Sequence, residues 1–169
     1  KGVFRHLVGN YKVGEALAQA PVDAVSITGS TRAGKRVAEI ASQNLHKFIL
    51  ELGGSDPFVV LKDADIDKAA EVGVASRFLN NGQSCIAAKR FIVQEEVLEE
   101  FTKKFQEHVE KQVVGDPLDP KTTIGPLVRG DSREVIAKQI SESTSAGAKI
   151  LTGGNTPNGI GFFFNPTIL

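Results

Sequence analysis

Short apolar runs alternate with helical periodicity along almost the whole chain. Segment 3–8 (VFRHLV) reads as a strand and is followed by a helical pattern at 12–20 (KVGEALAQA). Segment 22–28 (VDAVSIT) reads as a strand before a helical pattern at 31–42, and further strands are predicted at 47–52 (KFILEL) and 57–61 (PFVVL). Ile66, Ala69, Ala70, Val74 and Phe78 then recur at helical spacing, with Asp63 and Asp65 placed to favour the helix N-terminus. A strand is predicted at 90–94 (RFIVQ) and a long helix at 95–114, with Leu98, Phe101, Phe105 and Val109 on one face. That helix carries its glutamates early and its lysines late, in accord with its dipole. After the Pro-rich loop 115–128 (GDPLDPKTTIGPLV), a helix is predicted to start near Asp131, with Asp131 and Glu134 as a box-like cap. Segments 147–154 and 161–169 read as strands around a Gly/Asn turn region.

Apolar runs separated by amphipathic helices are the signature of parallel βαβ units, so the fold class is α/β. A change of composition at Gly53 and Gly54 predicts a boundary, with one unit over 1–52 and a second over 53–169. The chain opens without methionine and ends on an apolar segment, and it is read as a piece of a longer polypeptide.

Composition narrows the function classes. Twenty basic and twenty acidic residues leave no excess charge to favour nucleic acid. No apolar run reaches membrane-spanning length, and no export signal is visible, so neither a membrane nor a nucleic-acid partner is expected. The single cysteine rules out an internal disulfide framework and suits a reducing, cytoplasmic compartment.

Three stretches could carry chemistry. In 28–34 (TGSTRAG), between a strand and a helix, Gly29 would allow a tight turn. Ser30 and Thr31 would offer hydroxyls and N–H groups to an anion such as a pyrophosphate. The same stretch also reads, taken alone, as an ordinary strand-to-helix turn with a Ser/Thr cap. In 50–57 (LELGGSDP), Glu51 ends an apolar strand beside two glycines. It is either a general base whose burial would raise its pKa, or a carboxylate leaving the sheet for solvent. In 80–90 (NNGQSCIAAKR), Cys85 follows Gly82, which permits a sharp turn and close substrate approach. A helix dipole or local N–H groups would activate the thiol there, whereas a lone cysteine can also be inert filler. His6, His46 and His108 share no motif that would pair with the thiol, and no metal-ligand set is predicted.

Taken in order, ITGSTRAG, LELGGSDPFVVLKDADID and NNGQSCIAAKRFIV resemble the aldehyde dehydrogenase superfamily of NAD(P)-dependent enzymes. The 34-residue separation of Glu51 and Cys85 fits that family, and the similarity extends through GDPLDPKTTIGPLV. The resemblance implies the end of a Rossmann-like cofactor domain followed by most of an α/β catalytic domain. It implies Cys85 as the nucleophile and Glu51 as the base that activates the hydrolytic water. Gly29, Ser30, Thr31 and Gly34 would form the cofactor-side turn, and Leu52 and Gly53 the segment that passes the nicotinamide of NAD or NADP. The Cys85 N–H would be one oxyanion donor. The family's upstream asparagine, its ribose-holding lysine and its downstream E-x-F-G-P segment are not found in the chain, so the segment alone is expected to be inactive. The substrate would be a small aldehyde and the assembly a homo-oligomer, dimer or tetramer. The motifs look most like the succinate-semialdehyde dehydrogenase branch, although Leu79 stands where some members carry an arginine six residues before the cysteine. A coenzyme-A-acylating relative and a noncatalytic fragment retaining the motifs are the alternatives. Glu51 disfavours the first, because a water-activating base suits hydrolysis.

Overall fold

The computed structural model describes residues 2–169, which divide into two compact units, the first ending at Gly54 and the second running Ser55–Leu169.

The first unit contains helix α1 (Tyr11–Gln19), strand β1 (Ala24–Gly29), helix α2 (Thr31–Gln43) and strand β2 (Lys47–Leu52). β1 and β2 pair in parallel, from Ala24 opposite Lys47 to Gly29 opposite Leu52, so β1–α2–β2 is a βαβ unit. Strand alternation decides what is covered: Val25, Ile27, Leu50 and Leu52 are half-buried, while Ser26, Thr28, Ile49 and Glu51 are exposed. Buried Ala18, Ile40 and Ala41 complete this small core. Asn10 caps α1 by accepting from the Lys12 N–H at 3.0 Å, in keeping with the asparagine preference at that position.

The second unit starts with strand β3 (Asp56–Val60), helix α3 (Ile66–Arg77) and strand β4 (Ala88–Val93), again a parallel pair joined by a helix. Helix α4 (Glu95–Glu110) packs on α3, and helix α5 (Gly130–Ser145) follows the Pro-rich loop. Asp65 caps α3 by accepting from the Lys68 N–H at 3.1 Å, a contact worth about 1 kcal/mol. Val60, Ile66, Ala70, Val74, Phe101, Phe105 and Val109 form one core cluster, and Phe91 sets its ring edge-on to Phe105 at 4.8 Å. Burial of each large side chain contributes about 1.5–3 kcal/mol.

Several expectations give way. Residues 3–8 form no strand: they pair with nothing among the described residues, and Val3, Phe4 and Val8 stand fully or nearly exposed. Segments 147–154 and 161–169 contribute only a single antiparallel bridge, Thr152 to Ile168, because Gly147, Gly153, Gly154, Gly159 and Gly161 adopt left-handed φ values that interrupt extended pairing. On α4, Leu98 is exposed and Val97 packs against the core instead. Asp131 does not cap α5. The helix begins at Gly130, so Asp131 lies inside its first turn, where its carboxylate accepts from Arg129 Nε at 2.9 Å.

Candidate active site

Parallel pairing gathers one group of candidates at a single edge of the first unit. β1 and β2 both end there, with Thr28 opposite Glu51 and Gly29 opposite Leu52, and α2 starts there. The carboxyl ends of parallel strands are where α/β sheets bind ligands. Ser30 is the N-cap of α2, its Oγ accepting from the Ala33 N–H at 3.2 Å. Among the described residues no acceptor takes the Thr31 and Arg32 N–H groups of the first helical turn, which stand beside the Ser30 and Thr31 hydroxyls. Hydroxyl and N–H donors at a helix N-terminus suit an anionic phosphate, so these residues fit a dinucleotide.

The two glycines of this turn are used differently from each other. Gly29 is the last residue of β1 with an ordinary φ, so no tight turn depends on it. Gly34 is the demanding position: a Cβ there would lie 2.6 Å from Leu52 Cδ2 and 2.9 Å from Cδ1. The absent side chain is what lets α2 lie against the end of β2. Gly34→Ala is therefore expected to push Leu52 aside at a cost of about 1–3 kcal/mol. Thermal denaturation and cofactor titration of the variant should show a lower melting temperature and weaker binding. An unchanged melting temperature would mean that Leu52 swings away freely.

Glu51 is exposed, which corrects the expectation of a buried base. The strand alternation is the reason, since Leu50 and Leu52 take the inward positions and Glu51 the outward one between them. Gly53 follows in open space, with nothing within 4 Å of where a Cβ would stand.

Cys85 belongs to the second unit and is exposed. No helix begins at it, so the helix dipole invoked from the sequence does not act there. An irregular, turn-rich segment, residues 78–87, links α3 to β4, and Asn80, Asn81 and Gly82 adopt left-handed φ values of 52°, 56° and 77°. Asparagine tolerates this region better than most side chains, and glycine adopts it without penalty. The turn is stitched to the Pro-rich loop. Asn81 accepts from the Gly125 N–H at 2.7 Å and donates to the Pro126 carbonyl at 3.1 Å, and Gln83 accepts from the Val128 N–H at 3.0 Å.

Local bonding also fixes how the Cys85 peptide faces. The Ser84 carbonyl accepts from the Ala87 N–H at 3.3 Å, so it turns into the loop. In a planar trans peptide the Cys85 N–H then points the opposite way, and among the described residues no acceptor takes it. On the other side of the residue, Lys89 Nζ donates to the Cys85 carbonyl at 2.9 Å. An exposed thiol and an N–H with no acceptor among the described residues, both on one residue, are what attack on a carbonyl needs: a nucleophile, and a donor for the oxygen that becomes negative.

Residues that the motifs did not single out complete the loop. Arg77 donates to the Gly82 carbonyl and, at 3.0 Å, to the Ala88 carbonyl, while Ser76 Oγ accepts from the Ala88 N–H at 3.1 Å. Burial pushes the Arg77 pKa below its ordinary value, and the group remains a cation. Behind the loop lies a cavity of about 180 Å³ lined by Arg77, Asn81, Gln83, Leu127 and Phe164, and Cys85 does not line it.

Residues 1–169 match the aldehyde dehydrogenase family model. The chain belongs to that family. It is 44% identical over 170 residues to the succinate-semialdehyde dehydrogenase (NADP+) of Mycobacterium avium, with 100% of this chain and 36% of that protein covered. This family member thus spans about a third of the length of its curated relative. Among solved structures, 3,6-anhydro-L-galactose dehydrogenase in complex with NAP superimposes with a TM-score of 0.91 at 36% identity, over 95% of this chain and 35% of that one. The succinate-semialdehyde dehydrogenase of Burkholderia pseudomallei gives the same TM-score of 0.91 at 36% identity, over 95% and 34% of the two chains. The α/β class with parallel strands is shared with these relatives.

Proposed function

We propose that the protein oxidises an aldehyde to a carboxylic acid with NAD or NADP, through a thiohemiacetal and a thioester on Cys85. The observation that carries this reading is the Cys85 turn, which presents from one residue an exposed thiol and an N–H that no acceptor takes among the described residues. The thiolate attacks the aldehyde carbon, and the Cys85 N–H stabilises the oxygen that gains charge. The nicotinamide, when bound, supplies the acceptor for the hydride whose departure leaves the thioester. Glu51 then takes a proton from water as that water attacks the thioester, releasing the acid and the free thiol. Water activation by a carboxylate accounts for a cysteine enzyme with no histidine paired to its thiol.

The first unit is the end of the cofactor-binding domain in this proposal, with Ser30, Thr31 and Gly34 on the phosphate side and Leu52 and Gly53 toward the nicotinamide. The second unit is the thiol-bearing catalytic domain. Succinate semialdehyde is the substrate we favour, from the 44% identity to a protein of that name. A cytoplasmic homo-oligomer suits the family and the single exposed thiol. Assay of the natural full-length protein against aldehydes of different length and charge, with each cofactor, tests the reading. Oxidation of succinate semialdehyde, with NADP preferred, is expected. Absence of cofactor reduction with every aldehyde would overturn it.

A further inference from the structure

The Cys85 turn has two feet, and both are held by one side chain. Gly82 and Ala88 stand three residues before and three residues after Cys85, and the carbonyls of both accept from Arg77, Nη2 bonding the first and Nη1 the second. The adjacent Ser76 takes the Ala88 N–H, so the last turn of α3 secures both polar groups of that residue. Gly82 is shaped to this contact: its φ is 77°, and a Cβ would stand 3.2 Å from Arg77 Nη2. Among the described residues Arg77 forms no ion pair, so carbonyls are what its partly buried guanidinium bonds. A planar fork can bridge two carbonyls on separate strands of a turn, whereas a lysine ammonium, a compact point charge, bonds one well at a time. Lys89, bonded to the Cys85 carbonyl, reinforces the turn from its middle.

We propose that Arg77 is a positioning residue for catalysis, which acts through the Gly82 and Ala88 carbonyls to keep the Cys85 thiol and N–H aimed at one carbonyl. This rests on the nucleophile assignment made above. Misplacement of a reacting group by about 1 Å can cost a hundredfold in rate, which sets the scale of what the clamp protects.

The test uses the natural full-length protein with Arg77→Met and Arg77→Lys, measuring the pre-steady-state burst of reduced cofactor and amide hydrogen exchange. For Arg77→Met the burst rate is expected to fall about ten- to a hundredfold, with the Michaelis constant for the cofactor unchanged. Exchange in residues 82–88 should quicken about tenfold in that variant, with the core helices unaffected. Arg77→Lys should recover part of both losses, and decides the matter alone if the methionine variant does not fold. Wild-type burst and exchange in either folded variant would overturn the proposal, as would a uniform rise in exchange across the second unit. The two assignments fail separately. Normal turnover by Cys85→Ala removes the nucleophile reading, and with it the catalytic role of the clamp. A normal burst in Arg77→Met, with Cys85→Ala inactive, removes only the role of Arg77.

Discussion

Cys85→Ala in the full-length protein is expected to lower aldehyde turnover by roughly 10⁵-fold or more, the scale on which an enzyme loses a covalent nucleophile. The exposed thiol is the group in the turn that can form a carbon–sulfur bond, and the Cys85 N–H alone offers only electrostatic help. The alanine variant keeps that N–H and all the backbone contacts of residues 82–88, so its fold and its cofactor binding should survive. Intact-mass measurement after mixing with aldehyde and cofactor should show an acyl adduct on the parent protein and none on the variant. Turnover within tenfold of the parent would falsify the assignment, because the reaction would then proceed without the Cys85 sulfur.

The second large effect concerns the far half of the reaction. Glu51→Gln preserves the size and strand position of the side chain but removes the proton acceptor. Acylation should proceed, giving a burst of reduced cofactor, followed by a steady state slowed about 10²- to 10⁴-fold. The acyl adduct should then accumulate to nearly one per active site and be visible by mass. Adding hydroxylamine, a nucleophile that needs no base, should restore turnover of the trapped thioester. If the glutamine variant shows neither accumulation nor slowing, Glu51 is a strand-end carboxylate in solvent, as its exposure would also allow.

Both variants test residues found by motif, and the site around them divides by the range of the interactions involved. The βαβ unit of β1, α2 and β2 and that of β3, α3 and β4 were legible, because apolar runs and helical spacing record neighbours within a few residues. Ser30 and Asp65 were legible as helix starts for the same reason: each caps an N–H three residues on. Order and spacing of ITGSTRAG, LELGG and GQSC pointed to the family, which the match over residues 1–169 then established.

Periodicity misled where a partner had to be supplied from elsewhere. Residues 3–8 have the composition of a strand, but a strand exists only when another edge pairs with it. The segments 147–154 and 161–169 carry apolar runs, yet left-handed glycines hold them to one bridge. At Glu51 an apolar neighbourhood in sequence suggested burial, although the pleat sends its side chain opposite to Leu50 and Leu52.

From its sequence alone this chain determined its α/β class, its two βαβ units and its family, and it named Cys85 and Glu51 as the candidates for thiol and base chemistry. Tertiary structure alone decided how Cys85 is held. The bonds from Asn81 to Gly125 and Pro126 and from Gln83 to Val128 span 44 or 45 residues. Arg77 reaches Gly82 and Ala88 only because the turn folds back over the end of α3. Local spacing constrains backbone dihedrals and the face on which a side chain lies. Which carbonyl meets which donor depends on where the chain returns after it has packed, and no periodicity encodes that return.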